Sequence, residues 1–386
     1  MQDKSYNPYI EFYDENKISP VSQDISDFNK HMLRREQLYR YLGLPAMAFA
    51  DKRVMEIGPG GGYNSLCLLE WGARLDLIEP NPTAQTELEA LFNERHINPD
   101  RWSLYKMRIE EYIPDGLFDI VIAEGFLPGV INQQEIIERI AHLVKKGGVA
   151  AVTCLDEISR FFDSILRRAI GLYLIQQQQA VSFAEKVDLL SRAFAKHLAS
   201  LKYSSRPIRD WAADNLLNPD IYSEQMSIEE CLAYFGNDFE VLGTSPDFFC
   251  NTNWYKNIDY NGRESIIEQF RCKRHLLMMS GMEESVNEPA TNRKLLDKCR
   301  KMKQLVKRWE DDPARMVVNE AISILEDINS NTGNIDKRVN QAIAEAITLF
   351  GDPDIDENKV AQAGSLGSAF GKTMYVSLTR RFTDKN

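Results

Sequence analysis

Glu56, Gly58, Gly60 and Gly62 stand at alternate positions in VMEIGPGGGYNS, behind an apolar run and ahead of a helical pattern. Glycines so spaced admit positive φ and let the backbone approach a ligand closely, as a tight strand-to-helix turn requires. The helix that follows offers free N–H groups and the positive end of its dipole to a carboxylate or phosphate. Two residues narrow the choice of ligand. Tyr63 occupies the place where a dinucleotide fingerprint has its third glycine, and its ring opposes the close helix–strand packing of that fingerprint. Glu56 sets an acid at the end of the strand, where a pyrophosphate is repelled and a sulfonium or α-amino cation is attracted. Both details favour S-adenosylmethionine over a nicotinamide dinucleotide.

These residues need a scaffold, and the chain after Arg53 supplies one. Short apolar runs at 53–58, 74–79, 103–108, 118–124 and 148–154 alternate with helical stretches near 63–71, 83–95 and 133–145. Parallel strands joined by crossover helices imply an α/β fold with a doubly wound open sheet, and such sheets bind ligands beyond the strand C-termini. Two more strands are expected at 239–245 and, from the alternation of Met374, Val376 and Leu378, at 372–382. If the last strand rejoins the first sheet, the fold is a mostly parallel seven-stranded sheet with large helical insertions. The expected layout is then an N-terminal arm and helix over 1–45, packed on the body or serving as a lid, and a cofactor-binding core over 46–155. A helical substrate region over 156–238, a core strand at 239–250, a helical accessory region over 251–368 and a final core strand at 369–386 complete it.

The glycine loop ExGxGxG after the first strand, followed by LDLIEPNP at the end of the second, resembles the class I (Rossmann-like) S-adenosylmethionine-dependent methyltransferase family. LVKKGGVAAVTC is similar to the turn before that family's fifth strand. The resemblance implies that Glu79 holds the ribose hydroxyls of the cofactor, and its distance of roughly twenty residues from the loop suits that role. It further implies cofactor contacts from Glu56, Gly58, Gly60, Gly62, Asn64, Pro80 and Asn81. Where the family often has an acid after strand three this chain has Arg108, so the adenine contact is expected from Ile109 and Glu110. Glu124, in AEGFLPG, falls where the family faces both cofactor and acceptor; it is the expected base, with His31 on the N-terminal helix as a second catalytic candidate. An NPPY-like motif is absent, which counts against a nucleobase or glutamine amide as acceptor.

The implied activity is methyl transfer to oxygen or nitrogen of a small molecule or sugar, leaving S-adenosylhomocysteine. The competing reading is a protein that binds the cofactor without turnover and acts as an interaction module. A formal net charge of −11 argues against a nucleic-acid partner, because phosphate binding needs clustered cations. Six scattered cysteines and five histidines without ligand spacing give no metal site. With no apolar leader and no apolar run of membrane-spanning length, a cytoplasmic location is expected, with homo-oligomerisation through the C-terminal helices as an option.

Overall fold

The computed structural model describes residues 12–13, 15–16, 23–218, 225–248, 252–257, 261–330 and 336–382. Of the aromatic N-terminal arm, Tyr6 and Tyr9 fall outside the described residues, whereas Tyr13 is buried. The chain divides into two compact units, one of residues 1–155, 222–269 and 374–386, the other of 156–221 and 270–373.

The first unit is built on seven strands: β1 (Arg53–Ile57), β2 (Arg74–Ile78), β3 (Trp102–Tyr105), β4 (Phe118–Ala123), β5 (Val144–Cys154), β6 (Phe239–Ser245) and β7 (Met374–Arg380). They lie in the order β3-β2-β1-β4-β5-β7-β6. All pairings from β3 to β5 are parallel, and β7 runs antiparallel between β5 and β6. The last strand therefore does rejoin the first sheet, and the expected α/β architecture is the one observed. The glycine pair before strand five acts differently from the expectation of a simple turn. Phe118 pairs with Val144 and Ile120 with Val149, so residues 145–148 loop out of a strand that has already begun. Gly147 supplies the positive φ of 77° that this detour needs.

The helices of this unit that matter for the site are α1 (Phe28–Tyr41), α2 (Tyr63–Glu70), α3 (Pro82–Glu94) and α4 (Gln133–Leu143). Because strand side chains alternate, Val54, Leu75, Leu77, Ile120 and Ile122 point to one face. There they form a single apolar cluster with Tyr39 of α1, Leu66 and Leu69 of α2, and Leu88 and Phe92 of α3. The helix Ile228–Phe235 also belongs here, since it packs on α4. A capping box of Ser227 and Glu230 starts it, and Cys231, Leu232 and Phe235 bury its inner side. The middle segment of the unit, 222–269, is thus wider than the strand segment 239–250 read from the sequence.

The second unit is helical. A π-helical turn (Phe161–Leu166) runs into α5 (Arg167–Gln178), and α6 (Phe183–Ser200) follows, started by a capping box of Ser182 and Glu185. A long helix, α7 (Pro289–Asp311), ends just before Pro313, and Val318–Ser330 and Lys337–Phe350 complete the bundle. Residues 331–335, after Val318–Ser330, lie outside the described residues. Arg167 is fully buried in this core, and among the described residues no carboxylate forms an ion pair with it. Its guanidinium donates instead to the carbonyls of Phe162, Leu366, Gly367 and Ala369 at 2.7 to 3.2 Å, and it lies over the Phe370 ring. Among the described residues no helix is long and apolar enough to cross a membrane.

Candidate functional site

Three carboxylates meet at the C-terminal edge of the sheet, and strand geometry alone puts them on one face. Glu56 follows Val54 at the two-residue repeat, Glu79 follows Leu75 and Leu77, and Glu124 follows Ile120 and Ile122, all members of the same apolar cluster. In the parallel register Ile57 lies opposite Ile78 on one side and Ala123 on the other. One residue further on, Glu79 and Glu124 therefore flank Gly58. Having no side chain, Gly58 leaves the floor between them open, at a φ of 72°. A Cβ there would come within 3.3 Å of the Phe126 ring.

The glycine loop is closed by its own backbone. Gly58 N–H donates to the Ile78 carbonyl at 2.8 Å, and Gly60 N–H donates to Glu79 Oε2 at 2.9 Å. Asn81 N–H reaches the other oxygen, Oε1, at 2.8 Å, and Gln85 donates to the Glu79 carbonyl. Asn81 also caps α3, its Oδ1 accepting from Ala84 N–H, with Pro82 at the first helical position. Gly62 begins α2 in the left-handed region (φ 81°), and a Cβ on it would press on Leu88 and Phe92. Burial pushes the Glu79 carboxyl up to about 7 in spite of its two backbone donors. Burial does the same to Glu56, which reaches about 7 against a short hydrogen bond from Ser65 Oγ at 2.5 Å; the nearby charge of Glu124 adds to the rise.

The third carboxylate is held by side chains. Arg35 and Tyr39, one turn apart on α1, both donate to Glu124 Oε1 at 2.6 Å, and Arg35 donates to the Tyr39 hydroxyl at 3.2 Å. Burial alone would lower the Arg35 guanidinium, but Glu124 and Tyr39 beside it hold it well above its ordinary value. Burial and the Glu124 charge raise the Tyr39 phenol far above its own, so it stays a donor. Tyr39 is itself fixed edge-on against Phe49 and Trp71. The Arg35 guanidinium pairs with Glu124 and its charge also reaches Glu56, leaving acids in excess at this edge, which suits a cationic ligand and opposes an anionic one.

The residues expected to bind cofactor divide accordingly. Glu56, Gly58, Gly60, Gly62, Glu79, Pro80 and Asn81 lie together around the β1 and β2 tips, and Glu124 joins them from β4. Asn64, in the first turn of α2, accepts from Gln23 at 3.4 Å. Ile109 is buried, whereas Glu110 is exposed, accepts from Asn132 at 3.1 Å and shares no hydrogen bond with the three carboxylates. His31, the second catalytic candidate, has both ring nitrogens engaged. Its Nδ1 accepts from Arg34 at 3.0 Å, and its Nε2–H, the tautomer this partner dictates, donates to the Tyr63 carbonyl at 3.1 Å. Burial, with Arg35 and Arg34 nearby, drops it to about 4, so it is neutral at pH 7 and ties α1 to the start of α2. Arg35, Tyr39 and Phe126 were missed in the sequence. The spacing of His31, Arg35 and Tyr39, four residues apart on one helix face, was the available signal for two of them.

Residues 30–198 match the family model described as a methyltransferase domain. A human thiol S-methyltransferase, TMT1A, is 25% identical over 123 residues, covering 31% of this chain and 50% of that protein. The chain thus spans about half the length of this curated relative. Among solved structures, magnesium protoporphyrin IX methyltransferase from Synechocystis, with S-adenosylmethionine bound, is 16% identical over 32% of this chain and 59% of that one, at a TM-score of 0.27. The CcbJ methyltransferase from Streptomyces caelestis is 18% identical over 33% of this chain and 50% of that one, at 0.28. Over residues 30–198 the chain is therefore similar to a methyltransferase domain, carried on a sheet of the expected class I type. The cofactor of that class is S-adenosylmethionine, and the carboxylate row fits it: a sulfonium and an ammonium group answer the excess of buried acid, and the cofactor's hydroxyls can take Glu79.

Proposed function

We propose that this protein is an S-adenosylmethionine-dependent methyltransferase acting in the cytoplasm on an oxygen or nitrogen of a small molecule or sugar. The observation that carries the reading is the row of Glu79, Glu56 and Glu124 across one sheet edge, backbone-held at one end and held by Arg35 and Tyr39 at the other. S-adenosylmethionine supplies a methyl group on a sulfonium that is already a good leaving group. The protein's part is positioning, together with taking a proton from the acceptor. In this reading Glu79 exchanges its backbone donors for ribose hydroxyls, and Glu56 and the glycine loop receive the amino-acid end of the cofactor. Gly58, Phe126 and the Arg35–Glu124 pair shape the space next to the transferred methyl. The guanidinium offsets the charge of Glu124, so a neutral hydroxyl or amine can donate to that carboxylate without a second cation. His31 is a positioning residue for α1, and the side chains that choose the acceptor stand on that helix and on the loop after β4.

The test is formation of S-adenosylhomocysteine against panels of hydroxyl, amine and thiol acceptors, the last because the human relative is named for thiol methylation. Glu124→Gln should bind S-adenosylmethionine within threefold of wild type and lose turnover by about 100-fold, the scale of one general base. Full activity in that variant would remove Glu124 from the chemistry. Undisturbed cofactor binding with no turnover on any acceptor would favour the binding-module reading.

A further inference from the structure

The helical unit contains a cavity of about 550 Å³ lined wholly by its own residues. Its walls come from α5, the start of α6, the π-helical turn Ala213–Leu217 and the end of α7 with the turn behind it. The volume lies in the range of small-molecule sites. Leu172, Ile175, Leu217 and Met316 line it and are each only half-buried, so apolar surface is left uncovered in a concave place. Trp309 lines it too. Its side chain is fully buried and forms the closed back of the wall.

The charges of the wall are unequal. Arg168 and Glu310 pair with each other, and Arg168 also donates to the Asn218 carbonyl at 2.7 Å, so these two cancel. Lys186, the remaining charge on the wall, forms no ion pair among the described residues. An apolar hollow carrying one ammonium that no carboxylate among the described residues pairs with is complementary to an amphipathic anion. We propose that this cavity is a second ligand site, which takes a small carboxylate with an apolar body. The body rests on Leu172, Ile175 and Leu217 against the buried Trp309, and the head is offered to the Lys186 ammonium. It is independent of the site on the sheet edge, since every residue of it belongs to the helical unit.

The experiment is calorimetric titration of the full chain with decanoate, decanol and decyltrimethylammonium. Decanoate should bind once per chain, decanol about tenfold more weakly, and the cation not at all. Lys186→Met should weaken decanoate to the level of decanol and leave decanol unchanged, while Leu172→Trp, which fills the cavity, should abolish both. The 15N-labelled indole resonance of Trp309, assigned through Trp309→Phe, should move with decanoate. No saturable decanoate binding, equal binding of the cation, or an unaltered Lys186→Met affinity would overturn the proposal. Lys186 sits at the cavity wall outside the buried core, so that variant decides the matter if Leu172→Trp does not fold; S-adenosylmethionine binding should be the same in both.

Discussion

Glu79 and Glu124 stand on either side of Gly58, at the tips of β2 and β4, and are held by opposite means. Glu79 takes both of its hydrogen bonds from backbone N–H groups, of Gly60 and Asn81, at positions fixed by the strand ends. Glu124 takes both of its bonds from side chains on a helix 85 and 89 residues earlier in the chain. The difference is one of conservatism. Donors supplied by backbone cannot be substituted away, so that half of the site has the chemistry of the fold. The half built from Arg35 and Tyr39 can be rewritten one residue at a time, which suits the acceptor side proposed for it.

The contrast can be broken most severely from the Arg35 side. Arg35→Met leaves a buried carboxylate unpaired, and thermal or denaturant unfolding should show a loss of about 3 kcal/mol. Combining it with Glu124→Gln should recover most of that loss, because the uncompensated charge is gone; an additive double variant would mean that the pair is not the unit described.

A comparable effect should come from pH, through the other two carboxylates. In the folded protein Glu56 and Glu79 hold their protons up to about 7, whereas an ordinary glutamate releases its proton near 4.5. Between those values the native state binds more protons than the unfolded chain. Stability without cofactor should therefore fall as pH rises through this window, by on the order of 3 kcal/mol for each carboxylate. A cationic ligand favours the ionised form, so S-adenosylmethionine should raise the melting temperature more at pH 8 than at pH 6. Glu56→Gln should flatten that difference, and a ligand effect independent of pH would count against the carboxylate row as the cation's seat.

The smallest effect sharpens the backbone side. Gly62→Ala puts a Cβ at a φ of 81° and within 2.9 Å of Leu88, which should cost about 2 kcal/mol of stability and weaken cofactor binding. The same change at Gly364, where a Cβ meets nothing within 4 Å, should be close to neutral.

The two halves also differ in how far the sequence reveals them. Glycine spacing, the acid at the end of each strand and the two-residue alternation are local, so β1, β2, the loop between them and the existence of β7 can be read directly, whereas the return of β7 to the first sheet is a hypothesis until its pairing is seen. The pairing of Arg35 with Glu124 depends on how α1 lies on the sheet, which no local pattern encodes. Residue type alone singles out His31 on α1 but does not tell that both of its ring nitrogens are hydrogen-bonded. Strand five was placed but its start was not, since the detour at 145–148 is a matter of pairing register. The helix Ile228–Phe235 reads as amphipathic wherever it packs, so the sequence alone does not show which unit it joins.

The most direct test is calorimetric titration of S-adenosylmethionine into the wild-type chain and into Glu79→Ala at pH 8. The site as described predicts binding once per chain in the wild type and a loss of at least 100-fold in the variant, with its fold intact by circular dichroism. Equal affinity in the two would contradict the assignment of the β1 and β2 tips as the cofactor site.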